Sequence, residues 1–342
     1  MDSQEQGTAM AAGSRGEQFR TRLRSVENEI STVIVGQEEM VASMLCTMLA
    51  RGHLLFEGVP GLAKSLAVVT FARTIRGVFN RIQFTPDKLP GDITGTTVYE
   101  EPTATFVFHK GPVFCNILLA DEINRAAPKV QSALLEAMQE KEVSIDRERY
   151  PLPELFMVLA TQNPVEQLGT YPLSEAQLDR FMVKVEVTYP GKAQETVLLK
   201  KKRHDFEAIK KAVRPILDSG EAVEMQEYVA AKLAIADPVI SYILEICRRT
   251  RPEEQGCSDW AEKYVLVGAS PRAGEHLMAY CKGYAFMHGR EYVTFQDVDD
   301  CAGKVLGHRI ILKDAALIEG IKATEIIRQT ILATSPYGIP GE

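Results

Sequence analysis

The feature that most constrains this chain is a glycine-rich loop between a predicted strand and a predicted helix. Residues 53–57 form a short apolar run, residues 58–65 read GVPGLAKS, and a helical pattern follows over residues 65–75. The loop matches the phosphate-binding pattern GxxxxGK[ST] except at Ala63, where the pattern has glycine. Backbone N–H groups in such a loop, at the start of a helix, bind anionic phosphates. A simple turn is the alternative, but the strand–loop–helix context and the Lys-Ser pair favour phosphate binding.

Two side chains of this loop carry specific chemistry. Lys64 would neutralise the β- and γ-phosphate oxygens of a nucleotide, and the Ser65 hydroxyl would be a ligand of Mg²⁺. The methyl group of Ala63 restricts the backbone relative to glycine, and it is harmless if the φ angle of Ala63 is negative. The residues predicted to bind the nucleotide in and next to the loop are Gly58, Gly61, Leu62, Ala63, Lys64, Ser65 and Leu66.

A second motif, an apolar strand that ends in two carboxylates, indicates the class of reaction. Residues 117–122 read ILLADE. Asp121 would hold Mg²⁺ through water, and Glu122 would be the general base that activates an attacking water. Acidic residues often end strands, but the combination with a phosphate-binding loop is a strong signal. Asn163 follows a later predicted strand, where its amide can hold the attacking water; alone, Asn163-Pro164 would be read as an ordinary turn.

Strands alternate with helices over the first half of the chain, which predicts a parallel sheet with helices on both faces. The near-continuous apolar run at 116–121 fits a strand that is buried on both faces. Two segments, 96–111 and 142–154, alternate like β-hairpins, and we expect them to be insertions in loops of this core. The five predicted strands of the sheet are 53–57, 81–85, 116–121, 155–161 and 181–187.

The strand patterns stop after about Tyr189, and the rest of the chain is predicted to be all-helical. The predicted division is a disordered tail over residues 1–16, an α/β nucleotide-binding domain over 17–190, and a linker with a helical domain over 191–342. The predicted helices of the second domain are 191–204, 223–235, 238–250, 271–288, 295–306 and 314–333.

Composition argues against several other classes of protein. The chain of 342 residues has a formal net charge of −7, which disfavours a protein held broadly to nucleic acid by charge. No stretch approaches the roughly 18 apolar residues of a membrane helix, and the N-terminus lacks a signal-peptide core. The six cysteines form no CxxC pair and no zinc spacing, so we expect free thiols in a reducing cytoplasm.

The order of motifs along the chain resembles that of an AAA+ ATPase, and more narrowly that of the MoxR family. The single motifs are weakly specific, whereas the ordered set is highly specific. It comprises the loop, the Asp121-Glu122 pair, Asn163, Arg180 and Arg272. Ala63 departs from the general loop pattern but fits the GLAK[ST] form of MoxR-like proteins. The stretches that carry the resemblance are VGQ (35–37), FTPDKLPGDITG (84–95), residues 110–140, ATQNP (160–164), EAQLDRF (175–181) and GASPRA (268–273).

The resemblance implies roles for residues outside the nucleotide loop. Gly36 and Gln37 lie where the family has its adenine-side loop, and Asn163 matches sensor 1. Arg180 matches the arginine finger, which acts on the nucleotide of a neighbouring subunit, and Arg272 matches sensor 2, which acts in cis or in trans. Without the motif order, a surface arginine and a carboxylate-paired arginine would be the simpler interpretations of these two. In such rings the two hairpin insertions face the central channel.

The function that the resemblance implies is ATP hydrolysis with Mg²⁺ in a ring, with six subunits expected. Turnover would drive the chaperone-like remodelling or maturation of client proteins, together with a partner that carries a von Willebrand factor A domain. A nucleic-acid motor is one alternative, with residues 200–203 and the arginines of 248–251 as its footprint, although solvated helix faces are favoured for both runs. A nucleotide-gated scaffold without turnover is another, and the presence of Glu122, Asn163 and Arg180 argues against it.

Overall fold

Strands and helices alternate along the N-terminal half of the chain, and helices dominate after it. The computed structural model describes residues 2–102, 104–146, 148–164, 169–202 and 206–334. The strands are β1 (Leu54–Glu57), β2 (Ile75–Arg76), β3 (Phe79–Gln83), β4 (Gly95–Glu100), β5 (Thr105–Lys110), β6 (Ile117–Asp121), β7 (Glu142–Ile145), β8 (Glu148–Pro151), β9 (Met157–Gln162), β10 (Val183–Glu186), β11 (Leu217–Asp218), β12 (Val265–Val267) and β13 (Ile311–Leu312). The helices are α1 (Asp2–Ser31), α2 (Glu38–Leu49), α3 (Lys64–Thr74), α4 (Gly91–Thr94), α5 (Pro128–Glu140), α6 (Glu175–Leu178), α7 (Lys192–Lys202), α8 (Phe206–Lys211), α9 (Ser219–Lys232), α10 (Asp237–Arg249), α11 (Asp259–Tyr264), α12 (Pro271–Met287), α13 (Phe295–Leu306), α14 (Asp314–Ile318) and α15 (Ala323–Leu332).

The central sheet has five parallel strands in the order β10-β1-β9-β6-β3, which confirms the predicted sheet. Strand β6 is buried along its whole length because alternate residues face two separate apolar cores. Ile117 and Leu119 pack into the core that contains α2 and α3, and Leu118 and Ala120 pack into the core that contains α5. Helices therefore cover both faces, and the continuous apolar run of this strand follows from that burial.

The strand order determines which loops meet. Strands β1, β9 and β6 are neighbours, so the residues that follow their carboxyl ends lie at one edge of the sheet. In open parallel sheets this edge is where ligands bind. The glycine-rich loop after β1, Glu122 after β6 and Asn163 after β9 are therefore brought together from distant parts of the sequence.

The two predicted hairpins are both present. Strands β4 and β5 pair antiparallel, as do β7 and β8. The hairpins also contact one another, because Thr97 Oγ1 donates a 2.6 Å hydrogen bond to Asp146 Oδ2. The rings of Phe108 and Tyr150 pack with their centroids 4.3 Å apart. The two insertions thus form one joined surface feature of the α/β core.

The C-terminal part is helical, with small strands that the sequence patterns did not reveal. Strand β12 pairs antiparallel with β13, and the two-residue β11 pairs with β2. Strands of two or three residues are too short to show an alternating pattern, so the expectation that strands end near Tyr189 was wrong in this detail. The predicted helix 314–333 is divided into α14 and α15 around Gly320, whose φ of +68° is left-handed.

Helix α1 begins at Asp2, whereas composition predicts a disordered tail over residues 1–16, of which Met1 lies outside the described residues. The segment has no proline and several good helix formers, which makes a helical backbone possible. Farther along α1, Arg22 donates to both carboxylate oxygens of Glu221 on α9, at 2.9 and 3.0 Å. The domain boundaries at 16/17 and 190/191 stay predictions. Across the described ranges, no helix combines the length and apolar character needed to cross a bilayer.

Candidate functional site

The glycine-rich loop joins the end of β1 to the start of α3, as predicted. Gly61 has a φ of +87° with open space where a Cβ would be, and Ala63 has a φ of +60° immediately before the first residue of the helix. The condition under which the methyl group of Ala63 would be harmless, a negative φ, is therefore not met. A left-handed conformation costs a non-glycine residue on the order of 1 kcal/mol. At the position where the general phosphate-binding pattern has glycine, this loop thus has an alanine in a strained, left-handed conformation.

Lys64 lies at the base of this loop with its ammonium group turned towards backbone carbonyls. Its Nζ donates to the carbonyl oxygen of Gly58, and to those of Val59 and Gln162 at 3.3 and 3.4 Å. Partial burial lowers the pKa of Lys64, and the carboxylates of Asp121 and Glu122 oppose that shift. A cation held by carbonyl oxygens can exchange them for phosphate oxygens when a nucleotide enters.

Asp121 is a buried carboxylate held by three side chains. Ser65 Oγ and Thr161 Oγ1 donate to its Oδ1 at 2.9 and 2.7 Å, and Arg81 Nη2 donates to its Oδ2 at 2.6 Å. The hydroxyl of Thr161 also accepts the backbone N–H of Glu122 at 2.9 Å. Thr161 thus fixes both members of the acidic pair to strand β9.

Glu122 has a left-handed backbone with a φ of +57°, which turns its side chain out of the strand. Gln83 Nε2 donates to its Oε2 at 2.8 Å, and Arg125 Nη1 lies 3.3 Å from the same oxygen. The side chain is about one third exposed. A carboxylate held through one oxygen, and in reach of solvent, has the geometry of a general base.

Lys64, Asp121 and Glu122 all line one cavity of about 500 Å³. Asn163 is buried at its wall, and its carbonyl oxygen accepts Asn124 Nδ2 at 3.3 Å. Gln37 also lines it, whereas Gly36 and Gly58 do not. Gly36 packs against the side chain of Gln194. The predicted site residues that line the cavity are Gln37, Gly61, Leu62, Ala63, Lys64, Ser65, Leu66, Asp121, Glu122 and Asn163.

The ligands expected for Mg²⁺ fit that ion. Ser65 Oγ and the Asp121 carboxylate are hard oxygen donors 2.9 Å apart at the wall of the cavity. Among the described residues, no three His, Cys, Asp or Glu side chains are grouped to hold a metal by themselves. Mg²⁺ usually binds through one or two protein oxygens together with phosphates and water, and the donor set matches that habit. None of the described residues that line the cavity is a cysteine.

Arg180 and Arg272 do not line the cavity that contains Lys64 and Glu122. Together they line a separate pocket of about 180 Å³, whose described lining holds four cations, Arg51 and Lys141 being the others, and no carboxylate. Ser270 Oγ caps α12 by accepting the Ala273 N–H, as predicted. Outside the lining, Arg272 Nη1 lies 3.3 Å from Asp179 Oδ2. The structure therefore brings the two predicted arginines together and leaves both away from the nucleotide loop of their own chain.

Arg81, Gln83 and Thr161 contribute to the site and were missed by sequence reasoning. Each lies on a strand next to β6, and each contacts one of the two carboxylates. The position of Gln83 and Thr161 at the carboxyl ends of β3 and β9 was the available signal, but the order of strands in the sheet was needed to use it. Arg81 lies in the middle of β3 and gave no such signal.

Comparison with known proteins agrees with this architecture. The family model described as "ATPase family associated with various cellular activities (AAA)" matches residues 53–183, and the model "AAA lid domain" matches residues 258–330. The chain is 44% identical to Chaperone MoxR1 of Mycobacterium tuberculosis over 90% of this chain and 80% of that protein. It is 31% identical to Protein MoxR of Paracoccus denitrificans, over 87% and 91%. The crystal structure of a candidate ATPase from Cytophaga hutchinsonii superposes with a TM-score of 0.86 at 43% identity, covering 97% of this chain and 98% of that one. This chain is thus an ATPase, and it belongs to the MoxR family of AAA+ ATPases.

Proposed function

We propose that this ATPase hydrolyses Mg·ATP in a ring of identical subunits, in which the arginines of one subunit complete the nucleotide site of the next. One observation carries the proposal. Lys64, Asp121, Glu122 and Asn163 meet in one cavity, while Arg180 lines a different pocket of the same chain. Arg180 can stabilise transition-state charge only where it reaches a phosphate, so the site that it serves is proposed to be that of a second copy of the chain.

Within one subunit, each residue of the cavity has a separate task. Lys64 exchanges its carbonyl partners for phosphate oxygens. Ser65 and Asp121 would hold Mg²⁺, and that ion would supply positive charge beside the phosphates. Glu122, whose Oε2 is held by Gln83, takes the proton of the attacking water through Oε1. Asn163 orients that water from the end of β9.

Across the interface, the guanidinium group of Arg180 approaches the γ-phosphate bound by the neighbouring subunit. Arginines of this kind increase phosphoryl-transfer rates by on the order of 10³- to 10⁵-fold in the GTPases where they are known. Arg272 shares the pocket of Arg180, which supports a role in trans for it as well. Activity should therefore depend on assembly, and a ring of six is the state we propose.

The work that turnover performs is proposed to be the remodelling of client proteins. A relative from Mycobacterium tuberculosis is named a chaperone. The hairpin β4–β5 exposes an aromatic pair, Tyr99 and Phe106, whose ring centroids are 5.2 Å apart and of which Phe106 is 74% exposed. Contiguous exposed apolar patches mark protein-contact surfaces, and we propose that this pair is part of one. A client chain, or a partner with a von Willebrand factor A domain, is the proposed occupant.

The contacts of the two basic runs disfavour the nucleic-acid motor. Lys201 Nζ donates to the carbonyl oxygens of Ser31 and Thr32 at the end of α1. Arg249 pairs with Glu245, and the other two arginines of that run pair with Glu254. Arg203 lies outside the described residues. The two carboxylates paired with the arginine run offset most of its positive charge, and a surface with little net positive charge attracts phosphates weakly.

The test is to compare wild type, Arg180→Ala and Glu122→Gln by phosphate release, by binding of a fluorescent ATP analogue, and by molecular mass from light scattering with Mg·ATP. We expect both variants to bind nucleotide with near-normal affinity and to hydrolyse it slowly. The surface variant Arg328→Ala, which breaks only a helix-surface pair with Glu325, is the control and should behave like wild type. Wild-type turnover in Arg180→Ala, or a monomer under all conditions, would overturn the ring mechanism. Unchanged phosphate release in Glu122→Gln would favour the scaffold.

A further inference from the structure

Arg309 connects the helical domain to the backbone around Arg180. Its side chain is 1% exposed, and it comes from the segment between α13 and β13. Its Nε donates to Asp179 Oδ1 at 2.9 Å, its Nη2 to the carbonyl of Phe181 at 2.6 Å, and its Nη1 to the carbonyl of Met182 at 3.1 Å. The guanidinium group therefore binds the chain on both sides of Arg180.

The same guanidinium group also contacts the helix that carries Arg272. Arg309 Nη2 donates to His276 Nδ1 at 2.5 Å, and His276 lies about one turn after Arg272 on α12. Burial, with the neighbouring positive charge of Arg309, lowers the pKa of His276 to about 3, so the imidazole is neutral and accepts the bond. Asp179 links the two arginines directly, since its Oδ2 lies 3.3 Å from Arg272 Nη1.

Stability alone is a poor explanation for this arrangement. Burial lowers the pKa of Arg309 to about 10 despite the favourable charge of Asp179, which reflects the cost of placing a guanidinium group away from water. Buried ion pairs of this kind are often no more stabilising than apolar residues of the same volume. What the arrangement does supply is geometry, because one rigid planar group fixes two segments that carry pocket-lining arginines.

We propose that Arg309 is a positioning residue for hydrolysis in trans: by holding the Asp179–Met182 segment against α12, it sets the positions of Arg180 and Arg272 relative to one another so that both reach the nucleotide of the adjacent subunit. This inference rests on the proposed ring function. A movement of the helical domain would shift Arg309 and, through it, the segment that carries Arg180. The position of the helical domain in one subunit would thus affect the nucleotide site of the next subunit.

The test uses mixtures of full-length variants. Arg309→Lys keeps the charge but loses the planar fork, so we expect its kcat to fall about tenfold or more while its affinity for a fluorescent ATP analogue stays within about twofold. A Glu122→Gln subunit lacks the general base of its own site but keeps Arg180, Arg272 and Arg309. If Arg309 acts in trans, a mixture of the two variants hydrolyses ATP faster than either alone, because Glu122→Gln subunits complete the sites of their neighbours.

Two controls separate the possible results. Arg180→Ala mixed with Glu122→Gln tests the ring mechanism itself. Arg290→Lys alters another arginine of the helical domain, one that pairs with the buried Asp297 outside this pocket, and it should keep wild-type kcat. Recovery in the Arg180 mixture without recovery in the Arg309 mixture would overturn this inference and leave the ring function standing. Recovery in neither would overturn the ring function.

Folding of the variants is checked by thermal unfolding. If Arg309→Lys does not fold, Asp179→Asn is the second variant, since it keeps an acceptor oxygen and removes the charge shared by Arg309 and Arg272. We expect the same gain of activity in a mixture with Glu122→Gln. Wild-type kcat in a folded Arg309→Lys protein and in Asp179→Asn would contradict the inference.

Discussion

Thr161 Oγ1 donates a 2.7 Å hydrogen bond to Asp121 Oδ1 across the neighbouring strands β9 and β6. The same hydroxyl accepts the backbone N–H of Glu122 at 2.9 Å, so one buried side chain holds both acidic residues of the site. In the proposed mechanism the two carboxylates have different tasks, so their separation and orientation must be kept while a nucleotide enters and leaves. Thr161 is the residue whose bonds can keep them.

Replacement of Thr161 by valine tests this relationship, because the shape is nearly kept and only the hydroxyl is lost. We expect the free energy of unfolding to fall by about 1–3 kcal/mol and kcat to fall by on the order of ten- to a hundredfold. Thr330→Val is the matched control: Thr330 is also fully buried and bonds Ser258, but it lies on α15. It should lose stability without losing kcat per folded molecule. Equal effects on kcat in both variants would contradict the prediction.

Local sequence was enough to identify Lys64, Ser65 and the Asp121-Glu122 pair, because each motif is continuous and lies where a predicted strand ends. It was not enough for Thr161 and Arg81, whose nearness to Asp121 depends on the order in which β9, β6 and β3 pair. Strand order is set by packing over the whole sheet and leaves no local pattern.

Two further features of the structure could not be predicted from the sequence. Arg309 bonds to Asp179 over a separation of 130 residues, and no local sequence pattern near either residue predicts that contact. Ala63 illustrates a different limit, because the sequence showed that a glycine was replaced and could not show the sign of φ. The first fact depends on tertiary packing, and the second depends on the backbone conformation of the folded loop.

Arg81 should strengthen nucleotide binding through its charge. Its guanidinium group lines the nucleotide cavity and lies 2.6 Å from Asp121 Oδ2. We expect Arg81→Gln to raise the Kd of an ATP analogue about three- to tenfold, with a weaker dependence of Kd on salt, since a cation near the phosphates is removed. Arg76→Gln is the control, because Arg76 is an exposed arginine outside the cavity that pairs with Asp218. A Kd unchanged in Arg81→Gln would show that its contact with Asp121 is structural only.

The left-handed backbone of Ala63 predicts different outcomes for two substitutions. Ala63→Gly removes the strain but gives the unfolded chain more freedom, so we expect unfolding free energy within about 1 kcal/mol of wild type and normal nucleotide binding. Ala63→Val places a β-branched side chain at a φ of +60°, and we expect weaker nucleotide binding and a lower Tm. Thermal unfolding and ATP-analogue titration of both variants give the comparison. Normal binding by Ala63→Val would mean that the loop does not require this conformation.

His53 predicts how stability depends on acidity. It is a buried residue at the wall of the pocket of Arg180. Its Nδ1 accepts the Val158 N–H at 3.0 Å, and its Nε2 contacts the Met138 carbonyl at 3.2 Å. Burial lowers the pKa of His53 from 6.5 to about 4. The folded protein therefore keeps this imidazole neutral in a range of pH where the unfolded chain takes up a proton.

The stability that depends on a neutral His53 is then fully present above pH 6.5 and is lost as the pH falls towards 4. We expect His53 to lower the free energy of unfolding by about 3 kcal/mol over this range. Urea unfolding between pH 7 and pH 4 measures it. His53→Gln keeps one acceptor and one donor but does not titrate, so we expect a lower stability at pH 7 and a flatter decline in acid. His288→Gln, at an exposed histidine, should decline in parallel with wild type. If the free energy of unfolding of His53→Gln falls as steeply with pH as that of wild type, other groups cause the loss of stability in acid.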